Sequence, residues 1–133
     1  SSHAPNLPYQ ELIHLIQGNK QAYKTRYLVQ IGNKLNSISV EDIAYFHSTL
    51  KISFLTLFEK KAYPIEYSLL QLEKELNPDQ FFRVNRQLLV SRKAIKNIFY
   101  VSPSKIRIDL NPPFESPVVL SSEKIADFKQ WLM

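Results

Sequence analysis

The sequence is marked first by residue types that it lacks. Its 133 residues include no cysteine and only two glycines, Gly18 and Gly32. Without cysteine the chain can form neither disulfides nor thiolate metal sites, which fits a reducing compartment, so we expect a cytoplasmic location. Two isolated glycines cannot build a glycine-rich loop that cradles a phosphate. No apolar run reaches the roughly 18 residues that a membrane-spanning helix needs, and nothing resembles a signal peptide.

Patterns typical of catalysis and metal binding are also missing. The three histidines, His3, His14 and His47, have no metal-ligand spacing among themselves or with carboxylates. We expect His47 at the rim of a strand, and Glu73 and Glu75 on the solvated face of a helix. No Ser-His-Asp arrangement can be argued from spacing. We therefore expect no enzyme activity, no cofactor and no metal ion.

What the chain does contain is a globular composition with an excess of positive charge. Hydrophobic residues make up 44% of the chain and charged residues 22%, with a net charge of +5 and a pI near 9.4. This length and composition predict one soluble domain with its own core. The positive charge favours an anionic partner such as nucleic acid.

Apolar residues alternate with polar ones from Arg26 onward, and β-branched and aromatic residues are frequent. This pattern predicts strands in four segments, RYLVQI, EDIAYFHS, KISFLTLF and AYPIEY. Breaks at Gly32 and Asn33 and at residues 59–61 predict turns between antiparallel strands. Further on, the sequence predicts a strand within 81–90, a helical turn at 92–96, a hairpin folded at 102–104, a loop over 111–117 and a short strand over 118–120.

Helical spacing is found in three short segments. Leucine and isoleucine recur at helical intervals over 9–17, and again over 68–76, where Ser68 and Gln71 form a capping-box pattern. The last segment begins with Ser121 as N-cap. These helices are too far apart in the sequence for a helix-turn-helix motif. The predicted fold is mostly β, with small antiparallel sheets and short helices.

The most unusual segment is FFRVNRQLLVSRKAIKNI, residues 81–98, which has five cationic residues and no acidic one. Arginine can present a bidentate fork to guanine, and asparagine or glutamine can do so to adenine. Arg83, Asn85 and Gln87 would share one face of a strand, and Arg86 the other. A turn beginning near Asn85 would instead project Arg86 outward. This segment indicates a nucleic-acid-binding surface, although a strand with a solvated cationic face is the alternative.

Several separated motifs resemble one known family. They are DIAYF, SLLQLEKELNPDQFFRVNRQLLVSRKAIKNI, IDLNPPFE, VVLS and DFKQWL, in this order over about residues 24–132. This pattern resembles the LytTR domain, the DNA-binding output module of many bacterial two-component response regulators. NPPFE and DFKQWL are similar to the branch common in Bacteroidetes-type regulators. The Phe-x-Arg-x-x-Arg-x-x-(Leu/Ile)-Val signature is matched by Phe82, Arg83, Arg86, Leu89 and Val90.

The resemblance implies an elongated fold of three small antiparallel sheets and three regions that contact DNA. The first is the loop before the third strand, with Thr49. The second is the Arg-x-x-Arg segment, and the third is the start of the last helix, where many relatives have Ser-Arg-x-Arg and this chain departs from the pattern. The contact residues implied here are Lys51, Ser53, Asn85, Arg86, Gln87, Ser122 and Lys124. Arg83 is expected to be structural.

The resemblance also implies the organisation of a larger protein. The chain begins with Ser-Ser-His, so we expect it to be part of a longer one. We expect residues 1–23 to be a linker and residues 24–133 to be the DNA-binding domain. An N-terminal receiver domain and a cognate histidine kinase complete the expected system. We expect the isolated domain to be monomeric and the full-length protein to be a dimer on double-stranded DNA, with no membrane partner.

Two other functions remain open at this point. One is binding of single-stranded nucleic acid by stacking on aromatic residues, for which Tyr45, Phe46, Phe54 and Phe58 are candidates. The other is protein interaction through an exposed sheet edge.

Overall fold

The computed structural model describes residues 23–133, so the predicted helix over 9–17 and nearly all of the expected linker lie outside the described residues. The described part contains ten strands, two α-helices and two single 3₁₀ turns, at Val40–Asp42 and Arg92–Ala94. In chain order the elements are β1 (Arg26–Ile31), β2 (Lys34–Ser39), β3 (Ile43–Thr49), β4 (Ile52–Leu57), β5 (Ala62–Ile65), α1 (Leu69–Glu75), β6 (Phe81–Asn85), β7 (Leu88–Ser91), β8 (Ile95–Ser102), β9 (Lys105–Leu110), β10 (Val118–Leu120) and α2 (Ser122–Leu132).

The strands form three separate antiparallel sheets. The first is the β1–β2 hairpin, the second has five strands in the order β5-β4-β3-β7-β6, and the third has three strands in the order β10-β9-β8. The predicted fold class, mostly β with small antiparallel sheets and short helices, is confirmed. The two α-helices are separated by five strands, as the exclusion of a helix-turn-helix motif requires.

The central sheet has a hydrophobic core on each face because side chains alternate along its strands. On one face, Phe46 and Leu89 pack with β1 and α1; on the other, Tyr45 and Val90 pack with β9, β10 and α2. Both faces of the five-stranded sheet are therefore covered by other elements. Its edges and strand ends are the parts left for a partner.

Helix α1 closes the first core with the stripe that its sequence predicts. Leu69, Leu72 and Leu76 are all buried, and the Ser68 hydroxyl accepts a hydrogen bond from the Gln71 amide at 3.1 Å. The capping box is only half formed, because the Gln71 side chain donates to a Glu75 carboxylate oxygen at 3.2 Å instead of returning to Ser68.

Glu75 also receives a hydrogen bond from the hydroxyl of Tyr27 in β1, at 3.0 Å. Burial and this contact raise the pKa of Tyr27. The prediction that Glu75 lies on a solvated face is therefore wrong, because the carboxylate joins α1 to the first sheet.

Helix α2 closes the second core with Ile125 and Phe128, which are buried, and Leu132, which is partly buried. Ser121 is its N-cap residue, but the Ser121 hydroxyl donates to Glu123 at 3.1 Å and makes no hydrogen bond to the helix backbone. At the other end, the Arg92 guanidinium lies 4.2 Å from the Trp131 ring centroid and donates to the Trp131 carbonyl at 2.7 Å. This contact fixes the end of α2 against the 3₁₀ turn after β7.

Two strand assignments from the sequence need correction. The strand β2 was not among the predicted segments, because KLNSIS lacks the apolar alternation of its partner. The single strand predicted within 81–90 is in fact two strands, β6 and β7, joined by a turn at Arg86 and Gln87. The turn near Asn85, which the sequence offered as the way to project Arg86, is present.

Candidate nucleic-acid interface

The first part of the interface is the tight turn between β3 and β4. Thr49 pairs with Ile52, which leaves Leu50 and Lys51 as the two turn residues. Both have positive φ angles, 51° and 66°, as a hairpin turn that follows the twist of its strands requires. Residues other than glycine adopt this conformation at a cost. Both residues of this turn, Leu50 and Lys51, are exposed.

The second part is the β6–β7 turn, which lies beside the first. β3 pairs with β7 with His47 opposite Leu88, and the Ser48 amide donates to the Gln87 carbonyl oxygen at 3.0 Å. The end of β3 is thus hydrogen-bonded to the turn that carries Arg86. Two exposed cationic turns therefore meet at one end of the five-stranded sheet.

The β6–β7 turn is held by side chains as well as by the sheet. The Asn85 side-chain oxygen accepts a hydrogen bond from the Gln87 amide at 2.8 Å. The Arg83 guanidinium donates to two turn carbonyl oxygens, those of Asn85 at 2.8 Å and Arg86 at 2.7 Å. Its remaining nitrogen lies 3.0 Å from a Glu73 carboxylate oxygen. Glu73 lies on the exposed face of α1, as predicted, and in addition it anchors the arginine that holds the turn.

Arg83 and Arg86 consequently have different environments despite their spacing of three. The Arg83 side chain is only 18% exposed, and its donors are used within the domain. Arg86 is exposed, and its guanidinium has no ion pair among the described residues. This agrees with the expected structural role of Arg83 and leaves the Arg86 fork free for a ligand.

The third part is the start of α2. The Lys124 ammonium donates to the Arg83 carbonyl oxygen at 3.1 Å and lies 5.4 Å from the Phe82 ring centroid. A shallow groove of about 370 Å³ runs between this helix end and the β6–β7 turn. It is lined by Arg83, Val84, Asn85, Arg86, Val119, Ser121, Glu123 and Lys124. The acidic Glu123 lies within the same groove and lowers its positive charge.

The structure brings most of the predicted contact residues together at this end of the sheet. Lys51, Asn85, Arg86, Gln87 and Ser122 are all exposed there. Leu50 was not predicted, although it is 90% exposed at the tip of the β3–β4 turn. A leucine directly before a lysine, between two predicted strands, was the only signal for it.

Two predicted contact residues are placed differently. Ser53 is not in the loop but in β4, between Ser48 of β3 and Ile65 of β5, and it is only 7% exposed. It is therefore not accessible to a ligand in this conformation. Lys124 is partly buried, and its ammonium already binds the backbone of β6. Its first role is to attach α2 to the strand that leads into the Arg86 turn.

His47 lies just behind the two turns and is half-buried, not a simple rim residue. Its ring stacks on Phe54 with centroids 5.2 Å apart and meets the edge of Phe114 at 5.4 Å. Burial lowers the pKa of His47, although the carboxylate of Glu115 acts in the opposite direction. His47 is therefore neutral near pH 7 and adds no positive charge to the interface.

The described part of the chain contains neither a cluster of metal ligands nor a membrane-spanning helix. Across residues 23–133, histidine, aspartate and glutamate side chains nowhere gather in a group of three that could hold a metal ion. The two helices in this range are too short to cross a membrane.

We predict that Arg83→Ala destabilises the domain while Arg86→Ala does not. Removal of Arg83 leaves two turn carbonyls without their donors, which we expect to lower the free energy of unfolding by about 1–3 kcal/mol. Arg86→Ala, the matched control at an exposed position of the same hairpin, should change it by less than about 0.5 kcal/mol. Urea unfolding followed by circular dichroism measures both, and equal losses would contradict the division of roles.

Comparison with known proteins agrees with this fold. The family model described as the LytTr DNA-binding domain matches residues 33–133. Among solved structures, the "LytTr DNA-binding domain of putative methyl-accepting/DNA response regulator from Bacillus cereus" is similar with a TM-score of 0.70 and 21% sequence identity, covering 82% of this chain and 97% of that one. No curated protein gave a significant match. The family match covers most of the chain, and the chain therefore belongs to the LytTR family of DNA-binding domains.

Proposed function

We propose that the domain binds double-stranded DNA sequence-specifically and controls transcription as the output domain of a two-component response regulator. The observation that carries the proposal is the meeting of the β3–β4 turn, the β6–β7 turn and the start of α2 at one end of the central sheet. Hairpin turns on a rigid sheet can enter a groove of the duplex without a recognition helix.

The exposed side chains of these turns supply the chemistry that duplex recognition needs. The free fork of Arg86 fits the two acceptors of a guanine edge, and the Asn85 amide nitrogen remains available as a donor. Leu50 at the tip of its turn fits an apolar contact with a thymine methyl group. Lys51 and the Ser122 hydroxyl fit phosphate oxygens. Ser53 and Lys124 are assigned to the scaffold instead.

The alternative of single-stranded binding by aromatic stacking is weakened by burial. Tyr45 is 4% exposed and Phe46 is fully buried, so neither can stack on a base. Phe54 is partly buried and stacked on His47. A direct comparison of affinity for a duplex with affinity for either of its single strands separates the two functions.

The proposal extends to a larger regulator. The similar solved structure is named as part of a response regulator, which supports an N-terminal receiver domain joined through residues 1–23 and controlled by a histidine kinase in the cytoplasm. Phosphorylation of the receiver would pair two copies, and pairing raises the affinity for two adjacent sites through effective concentration. The isolated domain would remain monomeric.

We predict that duplex binding depends strongly on salt. Neutralisation of about four to six phosphates gives a slope of log affinity against log salt of about −4 to −5. Fluorescence anisotropy titrations with a labelled duplex, repeated at salt concentrations from about 50 to about 300 mM and at one fixed pH, measure this slope. A flat response would rule out nucleic-acid binding through this surface.

We predict that Arg86 and Lys51 contribute in different ways. Arg86→Ala should cost roughly 1–3 kcal/mol on the preferred duplex and relax the preference at one base pair. Lys51→Ala should weaken binding to all duplexes similarly and make the salt slope smaller by about 1. Lys60→Ala, a lysine in the β4–β5 turn at the opposite end of β4, is the matched control and should leave affinity unchanged. If Arg86→Ala and Lys51→Ala weaken all duplexes by the same factor, Arg86 does not read a base.

We predict that the full-length regulator occupies tandem half-sites spaced by whole turns of DNA, about 10–10.5 base pairs or multiples. Inserting about five base pairs turns one half-site to the opposite side of the duplex. Paired binding by the full-length protein should then weaken, while binding of the isolated domain to each half-site stays the same. Gel-shift titration compares the two duplexes, and sedimentation of the isolated domain checks that it is a monomer. Indifference of the full-length protein to the insertion would disprove the paired arrangement.

A further inference from the structure

The edge strand β8 carries an apolar surface that DNA binding does not use. β8 has eight residues and lies at the edge of the third sheet, where β9 is its only partner among the described strands. Four large apolar residues follow one another in it, from Ile98 to Val101, and each is 39 to 56% exposed. Exposed edges of this kind pair with other chains, and proteins usually protect them with charge, proline or a bulge. The register of β8 shifts near its two ends, between Ile95 and Asn97 and between Tyr100 and Ser102, and is regular from Asn97 to Tyr100.

The two faces of the strand are exposed for different reasons. Ile98 and Tyr100 lie on the face that continues into the second core, beyond the part that α2 covers. Phe99 lies on the opposite face in a row with Arg107 and Val119, and Val119 is also partly exposed. None of the described elements covers this row. A strand added at this edge would therefore lie beside exposed apolar side chains on both faces of β8.

The charges around the strand are mostly positive; the acidic exceptions are Asp109, which lies opposite Asn97, and Glu115, which lines a groove together with Lys96 and Arg107. The Arg107 guanidinium lies 4.7 Å from the Phe99 ring centroid, and the Lys129 ammonium lies 5.3 Å from that of Tyr100. Lys96 and Lys105 are exposed near the two ends of the β8–β9 hairpin. Within the described part of the chain, Lys96, Lys105 and Lys129 have no ion pair, whereas Arg107 is paired with Asp109 at 3.3 Å. The apolar strand is thus bordered by unpaired cations.

We propose that β8 is a docking site for an extended segment of another protein in which apolar side chains alternate with acidic ones. An added strand satisfies the free backbone groups of the edge; because its side chains alternate, its apolar residues lie beside the exposed apolar residues on one face of β8, and its carboxylates lie on the other face within reach of the bordering cations. A helix would cover one face and leave the backbone edge unpaired.

A second copy of this chain fits the surface less well. Pairing of two β8 strands would bring the same lysines of both copies together, in a protein with a net charge of +5. Like charges facing each other across paired strands are destabilising. Charge complementarity therefore favours an acidic partner over self-association.

The test uses three synthetic nine-residue peptides and the complete chain. In the first peptide valine alternates with glutamate, in the second lysine replaces glutamate, and in the third proline replaces every second valine of the acidic peptide. Anisotropy titrations at low salt should show the acidic peptide binding at least tenfold more tightly than either control. Bound acidic peptide should also slow amide hydrogen exchange in β8. Equal affinities, or protection of another strand, would overturn the proposal.

Variants locate the site. Phe99→Ser combined with Val101→Ser should weaken binding of the acidic peptide at least fivefold. Leu28→Ser combined with Leu35→Ser is the matched control, since these residues of the β1–β2 hairpin are 59% and 67% exposed, and it should have no effect. Lys96→Glu combined with Lys105→Glu should shift the preference towards the lysine peptide, which remains informative if the serine variant does not fold.

Two further measurements separate docking of an acidic segment on β8 from DNA binding and from self-association. Duplex affinity should be the same for the wild-type chain and the Phe99→Ser/Val101→Ser variant, because docking on β8 is independent of DNA binding. A loss of duplex affinity in a correctly folded variant would instead assign the surface to the DNA interface. Sedimentation showing self-association that this variant abolishes would assign it to a second copy. Either result overturns the proposal.

Discussion

The guanidinium of Arg83 connects the β6–β7 turn to α1, and the rigidity of the proposed interface depends on this connection. It holds the carbonyl oxygens of Asn85 and Arg86 on one side and the Glu73 carboxylate of α1 on the other. The Arg83 carbonyl oxygen in turn accepts a hydrogen bond from the ammonium of Lys124 at the start of α2. One residue thus connects the turn that presents Arg86 with both helices. A binding surface with its side chains already held in place loses less conformational freedom on binding.

The central sheet determines where this surface can be. Because one face packs against α1 and the first sheet and the other against α2 and the third sheet, ligands can approach only its edges and strand ends. One strand end carries the β3–β4 and β6–β7 turns, with unpaired cations at Lys51 and Arg86. The opposite end carries the β4–β5 turn, where Lys61 is paired with Glu59 at 3.7 Å, and the 3₁₀ turn, where Glu41 is paired with Lys93. Among the described residues, the end that we assign to DNA thus has two exposed cations without an ion pair, Lys51 and Arg86, whereas the opposite end has Lys61 and Lys93 in ion pairs and Lys60 without one.

Features fixed by neighbouring residues could be predicted from the sequence. The α1 stripe depends on a spacing of three and four along one helix, and the hairpin at 102–104 depends on turn residues within it. The turn near Asn85 was one of two alternatives from the sequence, and the local contact that supports it is the hydrogen bond that the Asn85 side chain accepts from the Gln87 amide. The family resemblance implied three regions of DNA contact, and the fold brings these three regions to one end of the sheet.

Features that depend on distant partners could not be predicted. Ser53 is buried because β5 pairs along β4, and Lys124 is held because α2 returns to β6 about 40 residues after Arg83. Glu73 and Glu75 lie outside the apolar stripe of the helix, and no neighbouring residue in the sequence shows that Arg83 and Tyr27 bind them. The hairpin of β6 and β7 was interpreted as one strand because its turn contains neither glycine nor proline, the residues that usually mark such turns.

The central claim is that three segments at one end of the central sheet act together as a duplex-reading surface. Its most direct test is an NMR titration of the isotope-labelled domain with a short duplex selected from a random pool. The account predicts that amide shifts concentrate at Leu50 and Lys51, at residues 85–87 and at residues 121–124, while Lys60 and Lys61 in the β4–β5 turn stay unchanged. Shifts of similar size at Lys60 and Lys61 would show that the duplex follows positive charge alone and would contradict the claim.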